Sequence, residues 1–342
     1  MDNLWIKKCT LENFGKIGSL RLDDLAGINL IIGENGTGKT FLLKALYSEI
    51  RTMEEYMRGD ANRSVNDILI DKLRWTFQVD KPGDIVTKGA EGLASCQIEV
   101  GSLSLGYQFG ADCKKKLTVT QTPAETKIGN SVFIPAKEVL SLFSVISKSR
   151  EVDQVFGFDD TYYDLVKALG IAPSRGKNYT GFAESRKKVF NIIQGKVDFK
   201  ETTGKWVYKQ GDRSYSIGAT SEGVKKIAIM DRLLANGYLS PDSVLFIDEI
   251  ESALHPDAIC EFLEVVDYLA ETMNIQVFIS THSYFVIKKV FLIALNRKNS
   301  TRCISLSKEL PPVITNLSDG MPQNSIIDAS IRLYEEEING VL

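Results

Sequence analysis

The stretch Ile28 to Ala45, INLIIGENGTGKTFLLKA, constrains this chain more than any other. Ile28 to Ile32 reads as a buried strand, Gly33-Glu34-Asn35-Gly36-Thr37-Gly38-Lys39-Thr40 follows at once, and Phe41, Leu42 and Ala45 mark one face of a helix. Strand, glycine-rich turn and helix in that order form the context a P-loop requires. Backbone N–H groups of Gly33, Asn35, Gly36, Thr37 and Gly38 must turn inward around a phosphate chain, which calls for unhindered φ and no side chain in the way. The helix that follows points its positive end at the same place. Lys39 is placed to reach β- and γ-phosphates, and the Thr40 hydroxyl can complete the shell of a magnesium ion that keeps most of its waters.

The inventory removes other chemistries. With two histidines, His255 and His282, a histidine cluster is ruled out, and the five cysteines (Cys9, Cys96, Cys113, Cys260, Cys303) show no CxxC spacing. They read as reduced thiols and not as a disulfide framework or zinc site. A formal charge of −3 argues against a surface that is basic throughout, although local patches stay open. The start MDNLWIKKCTLENF has no apolar leader and no long apolar run follows, so a soluble, cytoplasmic protein without membrane contact is expected.

Leu4 to Leu11 and Ile17 to Leu22 alternate like strands around the turn Asn13-Phe14-Gly15-Lys16, and helices are predicted to Met57, stopping at Arg58-Gly59-Asp60, and over Val65 to Leu73. From Arg74 to Gly129 the segments RWTFQV, ASCQIEV, LSLGYQF and KLTVTQ suggest an antiparallel subdomain. A short strand at Ser131 to Ile134 precedes helical spacing at Lys137 to Lys148, Asp160 to Leu169 and Phe182 to Ile193, with loop at 171–180 and three short strands over 196–217. Helices at Ser221 to Ala235, Pro256 to Thr272, Tyr284 to Leu295 and Asn324 to Glu336 alternate with strands at Val244 to Ile247, Gln276 to Ser280 and Cys303 to Leu306. The whole reads as one α/β domain, a mainly parallel sheet with helices on both faces. Residues 1–134 form a P-loop lobe with the antiparallel subdomain, 135–218 a helical and hairpin insertion, and 219–342 a second lobe.

Three further constellations carry chemistry. The strand Val244 to Ile247 ends in Asp248-Glu249; behind a P-loop, Asp248 can hold magnesium and Glu249 can orient an attacking water at the γ-phosphate. The strand Gln276 to Ser280 leads into Thr281-His282-Ser283, which sets His282 at the same sheet edge to meet the γ-phosphate. Ala219-Thr220-Ser221-Glu222-Gly223-Val224-Lys225-Lys226 is a small polar turn opening a helix whose cap is Ser221, and such a helix start is also an anion site.

In this order the motifs LENFGKI, GENGTGKT, TSEG, LFIDEIESALHP and STHS resemble the ABC-class ATPase heads of the SMC, RecF and overcoming-lysogenization-defect type, over nearly the whole chain. The resemblance implies a P-loop NTPase fold of the ABC/SMC-head type, ATP and Mg2+ as cofactors, and a head-to-tail homodimer holding ATP between Lys39 of one subunit and Ser221 and Gly223 of the other. It implies that Phe14 lies near the adenosine, that Glu251 to His255 crosses the interface, and that Glu249, His282 and Lys39 are catalytic. Small heads of this kind resemble ATPase subunits of prokaryotic antiphage defence systems, which act on a separate effector. Two alternatives stand beside that reading: a RecF-like repair ATPase that binds nucleic acid through basic stretches such as Lys114 to Lys116, Ser185 to Lys188 and Lys288 to Lys298, and a nucleotide-locked scaffold with little turnover. The scaffold is suggested by Glu222, where the family carries a small residue, and Val224, where it carries Gln or Glu. An acid beside a γ-phosphate repels it unless turned away. Candidates for the glutamine-loop contact to magnesium are Gln78 and the segment Phe133 to Lys137.

Overall fold

The computed structural model describes residues 3–59, 63–173, 182–297 and 301–341. Its centre is a sheet of six strands in the order β14-β13-β3-β12-β11-β7. These are β3 (Ile28–Ile32), β7 (Val132–Ile134), β11 (Val244–Ile247), β12 (Gln276–Thr281), β13 (Thr301–Ser305) and β14 (Val313–Asn316). All neighbours are parallel except β13 and β14. A parallel sheet is covered on both faces, so its strands are near-continuous apolar runs, and here their side chains sort by the two-residue period. Leu30, Ile279, Ile247 and Ile134 point into one core, while Ile31, Phe278, Phe246 and Phe133 point into the other.

The second core lies between this sheet, α1 (Lys39–Glu55), α2 (Val65–Phe77) and an antiparallel sheet of order β2-β1-β4-β5-β6. That sheet contains β1 (Ile6–Phe14), β2 (Gly18–Leu22), β4 (Ala94–Val100), β5 (Leu103–Phe109) and β6 (Thr118–Gln121). Gln276 stitches the two sheets: its side-chain oxygen accepts from Ile6 N at 2.8 Å and its amide donates to Ile6 O at 2.9 Å. Both bonds are buried, where an unpaired amide would be costly.

On the opposite face lie α4 (Asp160–Gly170), α5 (Phe182–Ile193), α6 (Glu222–Ala235), α7 (Pro256–Thr272) and α8 (Tyr284–Asn296), with the small sheet β8 (Lys196–Lys200), β9 (Lys205–Gln210) and β10 (Arg213–Ser216). α3 (Phe143–Glu151) precedes α4, and α9 (Ser325–Val341) leaves the body after β14. α4 and its cap Asp159 are fastened to α1 and α2 by largely buried charge. Lys72 contacts Asp164 at 3.0 Å, Asp160 at 3.3 Å and Glu55 at 2.9 Å, and Lys44 meets Asp159 at 2.6 Å. Burial alone would raise the Asp164 carboxyl, but Lys72 and Arg51 hold it well below the usual carboxylate range.

Two local expectations are corrected, and one strand is added. RWTFQV is not a strand: α2 runs on to Phe77 and ends at Gln78 in the left-handed region, φ 52°. The face begun by Ile68, Leu69 and Leu73 continues through buried Thr76, so tertiary packing overrides the β-rich composition. Helix is absent from 137–142; Val139 and Leu140 are buried by a turn, and α3 begins only at Phe143. β14 was not anticipated, being short, after two prolines and at a sheet edge. The loop expected at 171–180 lies outside the described residues from 174 onward, as does Asp60 of the expected helix stop.

Candidate active site

Because β3, β12 and β11 are parallel neighbours, whatever follows them emerges at one edge. Ile32 pairs with Thr281, and Ile247 with Ile279. The glycine loop, the Ser-Thr-His turn and the acidic pair therefore converge there.

The loop conformation depends on its glycines. Gly33, Gly36 and Gly38 have φ of 153°, 82° and 97°. At Gly33 a Cβ would sit 2.5 Å from the Leu306 carbonyl oxygen and 2.7 Å from the Thr37 hydroxyl, so no side chain fits. Thr37 Oγ1 donates to Glu34 O at 2.9 Å and closes the turn. The Lys39 ammonium crosses the loop and donates to Gly33 O at 2.8 Å and Glu34 O at 2.9 Å. Burial lowers its pKa, against the pull of Glu249, Asp248 and Glu251.

Asp248 is buried and receives three hydroxyl contacts. Thr40 Oγ1 lies 3.0 Å from each of its carboxylate oxygens, and Ser280 Oγ donates to Oδ1 at 2.6 Å. A hydroxyl and a carboxylate held this close form the oxygen pair that suits magnesium bound together with phosphates, so the residues fit that ion. Glu249 follows with φ 45°, unusual for a side chain of its size. Its N–H donates to Ser280 Oγ at 3.0 Å. Its carbonyl accepts from the Lys226 ammonium at 2.6 Å and from Ser252 N at 2.9 Å. Lys226, on α6, also donates to Asp248 O at 3.3 Å, and burial pushes its pKa down to about 8 against three nearby carboxylates. Nothing in the spacing of the motifs pointed to these bonds of Lys226; its partners are main-chain oxygens more than twenty residues away.

His282 is exposed, with Nδ1 3.7 Å from Glu249 and 3.4 Å from Glu251. Glu251 Oε1 accepts from Thr281 Oγ1 at 2.8 Å and His282 N at 3.0 Å, which fixes the turn. Ser221 is exposed and caps α6 by accepting from Val224 N at 3.4 Å. Gly223 is buried against its own chain: a Cβ there would lie 2.7 Å from the Ala253 carbonyl oxygen. Glu222 pairs with Lys225 at 2.8 Å, so its charge has a partner on its own helix.

A cleft of about 350 Å³ is lined by Asn35, Lys39, Thr40, Phe41, Phe77 and Glu249, among others. Phe14 is a correction here. It is fully buried and meets Phe41 and Phe77 edge-on at 6.1 and 6.0 Å, so it stands behind the cleft's aromatic wall. Phe41 and Phe77, 4.6 Å apart, form the wall itself. The sequence offered an aromatic turn but no way to tell which ring faces outward. Of the two segments weighed for the magnesium contact, Ala136 and Lys137 share a second cleft with Glu249, whereas Gln78 is the exposed cap of α2. Several basic residues are occupied by partners: Arg186 binds Asp231 at 2.7 Å and Lys289 binds Glu264 at 2.6 Å, while Lys298 lies outside the described residues.

Two family models match the chain. One, described as "AAA domain, putative AbiEii toxin, Type IV TA system", matches residues 122–288, and one described as an AAA domain matches residues 8–68. No curated protein matches it in sequence. An SMC head crystallised with the C-winged helix domain of ScpA superposes with a TM-score of 0.53 at 12% identity, covering 92% of this chain and 98% of that one. The SMC head domain from Thermotoga maritima gives 0.48 at 13% identity, over 91% and 98%. The recombination mediator protein RecF with ATP gives 0.45 at 14% identity, over 92% and 98%. Among the described residues no helix is long and apolar enough to cross a membrane.

Proposed function

We propose that this chain, an ABC-class P-loop ATPase domain with the SMC-head fold, hydrolyses ATP and uses ATP-dependent dimerisation to control a separate effector. The observation that carries the reading is the convergence at one sheet edge of Lys39, of Thr40 hydrogen-bonded to Asp248, and of Glu249 beside them in one cleft. Simple phosphate binding needs the loop and its lysine. A second acid whose main chain is held in an uncommon conformation by Lys226, Ser280 and Ser252 serves hydrolysis.

In this mechanism the amides of Gly33 to Thr40 and the Lys39 ammonium hold the triphosphate. Thr40 and Asp248 would hold magnesium, which when bound neutralises charge on the phosphate oxygens. Glu249 orients the attacking water and accepts its proton, and His282 donates to the γ-phosphate. Exposed Ser221 serves the partner's triphosphate, so that ATP acts as part of the interface and its cleavage releases the dimer. Glu222, paired with Lys225, presents less charge to that phosphate than its position in the motif suggests. The family description naming a toxin system, together with the likeness of small heads to defence ATPases, supports an effector-linked role, in antiphage defence.

The test is Glu249→Gln. Expected are a fall in ATP turnover of about 100-fold or more and accumulation of an ATP-dependent dimer in sedimentation. Unchanged turnover in the variant would falsify the role of Glu249, and a monomer at saturating ATP would remove the dimer switch. Salt-sensitive binding of DNA by the wild-type chain would favour the repair reading instead.

A further inference from the structure

We infer that α9 is a docking helix for a separate protein helix whose apolar stripe is flanked by lysine or arginine. This goes beyond the nucleotide reading and stands without it.

Ile327, Ile331, Tyr334 and Ile338 recur at alternating spacings of four and three, the pattern by which two helices pair along a seam. Ile327 packs against the body at the root of the helix, but every residue from Ile331 to Gly340 is exposed. Ile331, Tyr334 and Ile338 show 51, 63 and 43% of their surface. Apolar side chains aligned in register over two turns and left in water are the signature of a covered face.

Charge decides what covers it. The positions bordering the stripe are Asp328, Ser330, Glu335 and Glu337, three acids and a serine. In a parallel or antiparallel pair of two such helices these positions face one another, so a second copy would bring carboxylate against carboxylate along the seam. Arg332 lies on the outer side, away from it. Residues 325–341 hold Asp328, Arg332 and Glu335 to Glu337, a net −3, which equals the formal charge of the whole chain. The rim of this exposed stripe carries three acids and no base, which favours a basic-flanked partner and disfavours self-pairing.

The experiment uses the full chain and two labelled synthetic peptides of about three heptads with identical Ile/Leu seams, one bordered by lysine and the other by glutamate. Fluorescence anisotropy should show the lysine peptide binding at least tenfold tighter, weakening as salt rises. Ile331→Ser should weaken it about tenfold or more, and Glu335→Lys with Glu337→Lys should reverse the preference between peptides. All three substitutions are on exposed positions, and an unchanged melting temperature checks that the body is intact. Absence of binding, equal affinity for both peptides, or indifference to Ile331→Ser would overturn the inference. So would nucleotide-independent self-association abolished by Ile331→Ser, because the occupant would then be a second copy.

Discussion

Lys226→Met isolates the link between the helix that starts at Ser221 and the acid expected to activate water. The ammonium donates to Glu249 O at 2.6 Å and to Asp248 O at 3.3 Å, and the side chain touches no residue of the glycine loop among its hydrogen bonds. A charged hydrogen bond is worth about 1.5–3 kcal/mol, and a non-glycine residue at positive φ costs about 1–2 kcal/mol relative to its relaxed form. Glu249, at φ 45°, keeps its ties to Ser280 and Ser252 when Lys226 is lost. The net bias against the active conformation is then about 2 kcal/mol, which corresponds to a fall in kcat of roughly 10- to 100-fold. Methionine fills similar volume, so the fold is retained while two carbonyls lose a donor. Steady-state ATPase assays against ATP concentration, with nucleotide affinity measured separately by a fluorescent analogue, should show kcat falling while affinity stays within twofold. Lys226→Arg, which keeps the charge, should recover part of the loss. A kcat within twofold of wild type in a folded Lys226→Met protein would refute the reasoning, as would equal losses in kcat and affinity.

Two other outcomes follow from buried contacts. Burial raises the Glu49 carboxyl from 4.5 to about 8 in spite of its bond from Tyr107, so the native state holds a proton the unfolded chain releases. Its folded pKa lies above the unfolded one, so its contribution is intact below pH 4.5, declines towards pH 8 and is level beyond. At about 1.4 kcal/mol per pH unit the decline is of the order of 5 kcal/mol. Urea titrations of wild type and Glu49→Gln should therefore differ by about 3 kcal/mol more at pH 8.5 than at pH 5.5, in favour of glutamine; a gap that does not change with pH would mean Glu49 ionises freely. Gly223→Ala sets a methyl 2.7 Å from the Ala253 carbonyl, and a backbone oxygen cannot swing aside. We expect a loss of about 1–3 kcal/mol in stability and weaker ATP-dependent dimerisation, read by melting temperature and sedimentation; wild-type behaviour in both would show that α6 and the loop at Ala253 are not tightly apposed.

The sheet and the phosphate loop were legible because parallel strands buried on both faces are written as unbroken apolar runs, each ending in the polar residues of the site. Val244 to Ile247 before Asp248 and Gln276 to Thr281 before His282 announce themselves in this way. What escaped depends on distant contacts. Trp75 looked strand-like in RWTFQV, yet in α2 it lies under the Arg150 guanidinium, 3.3 Å above its ring centre, a partner that sequence spacing does not reveal. Val139 and Leu140 have helical spacing but are buried by a turn, since apolar periodicity reports burial and only indirectly conformation. Phe14 was expected near the adenosine because its turn matches the family motif, whereas Phe41 and Phe77, which line the cleft, come together from two helices. Lys226 lies in the helix-start stretch, but its partners, the carbonyls of Asp248 and Glu249, escaped for the same reason.

α4 is joined to α1 and α2 through Lys44, Arg51 and Lys72 facing Asp159, Asp160 and Asp164. Breaking one of these largely buried contacts leaves the other charge stranded, so the joint is costly to open. The helix that opens with Lys39 and Thr40 is thus geared to α4, whose cap Asp159 is held by Lys44 at the rim of the cleft. Under the proposed ATP cycle, any displacement of α1 would pass to α4 as rigid motion.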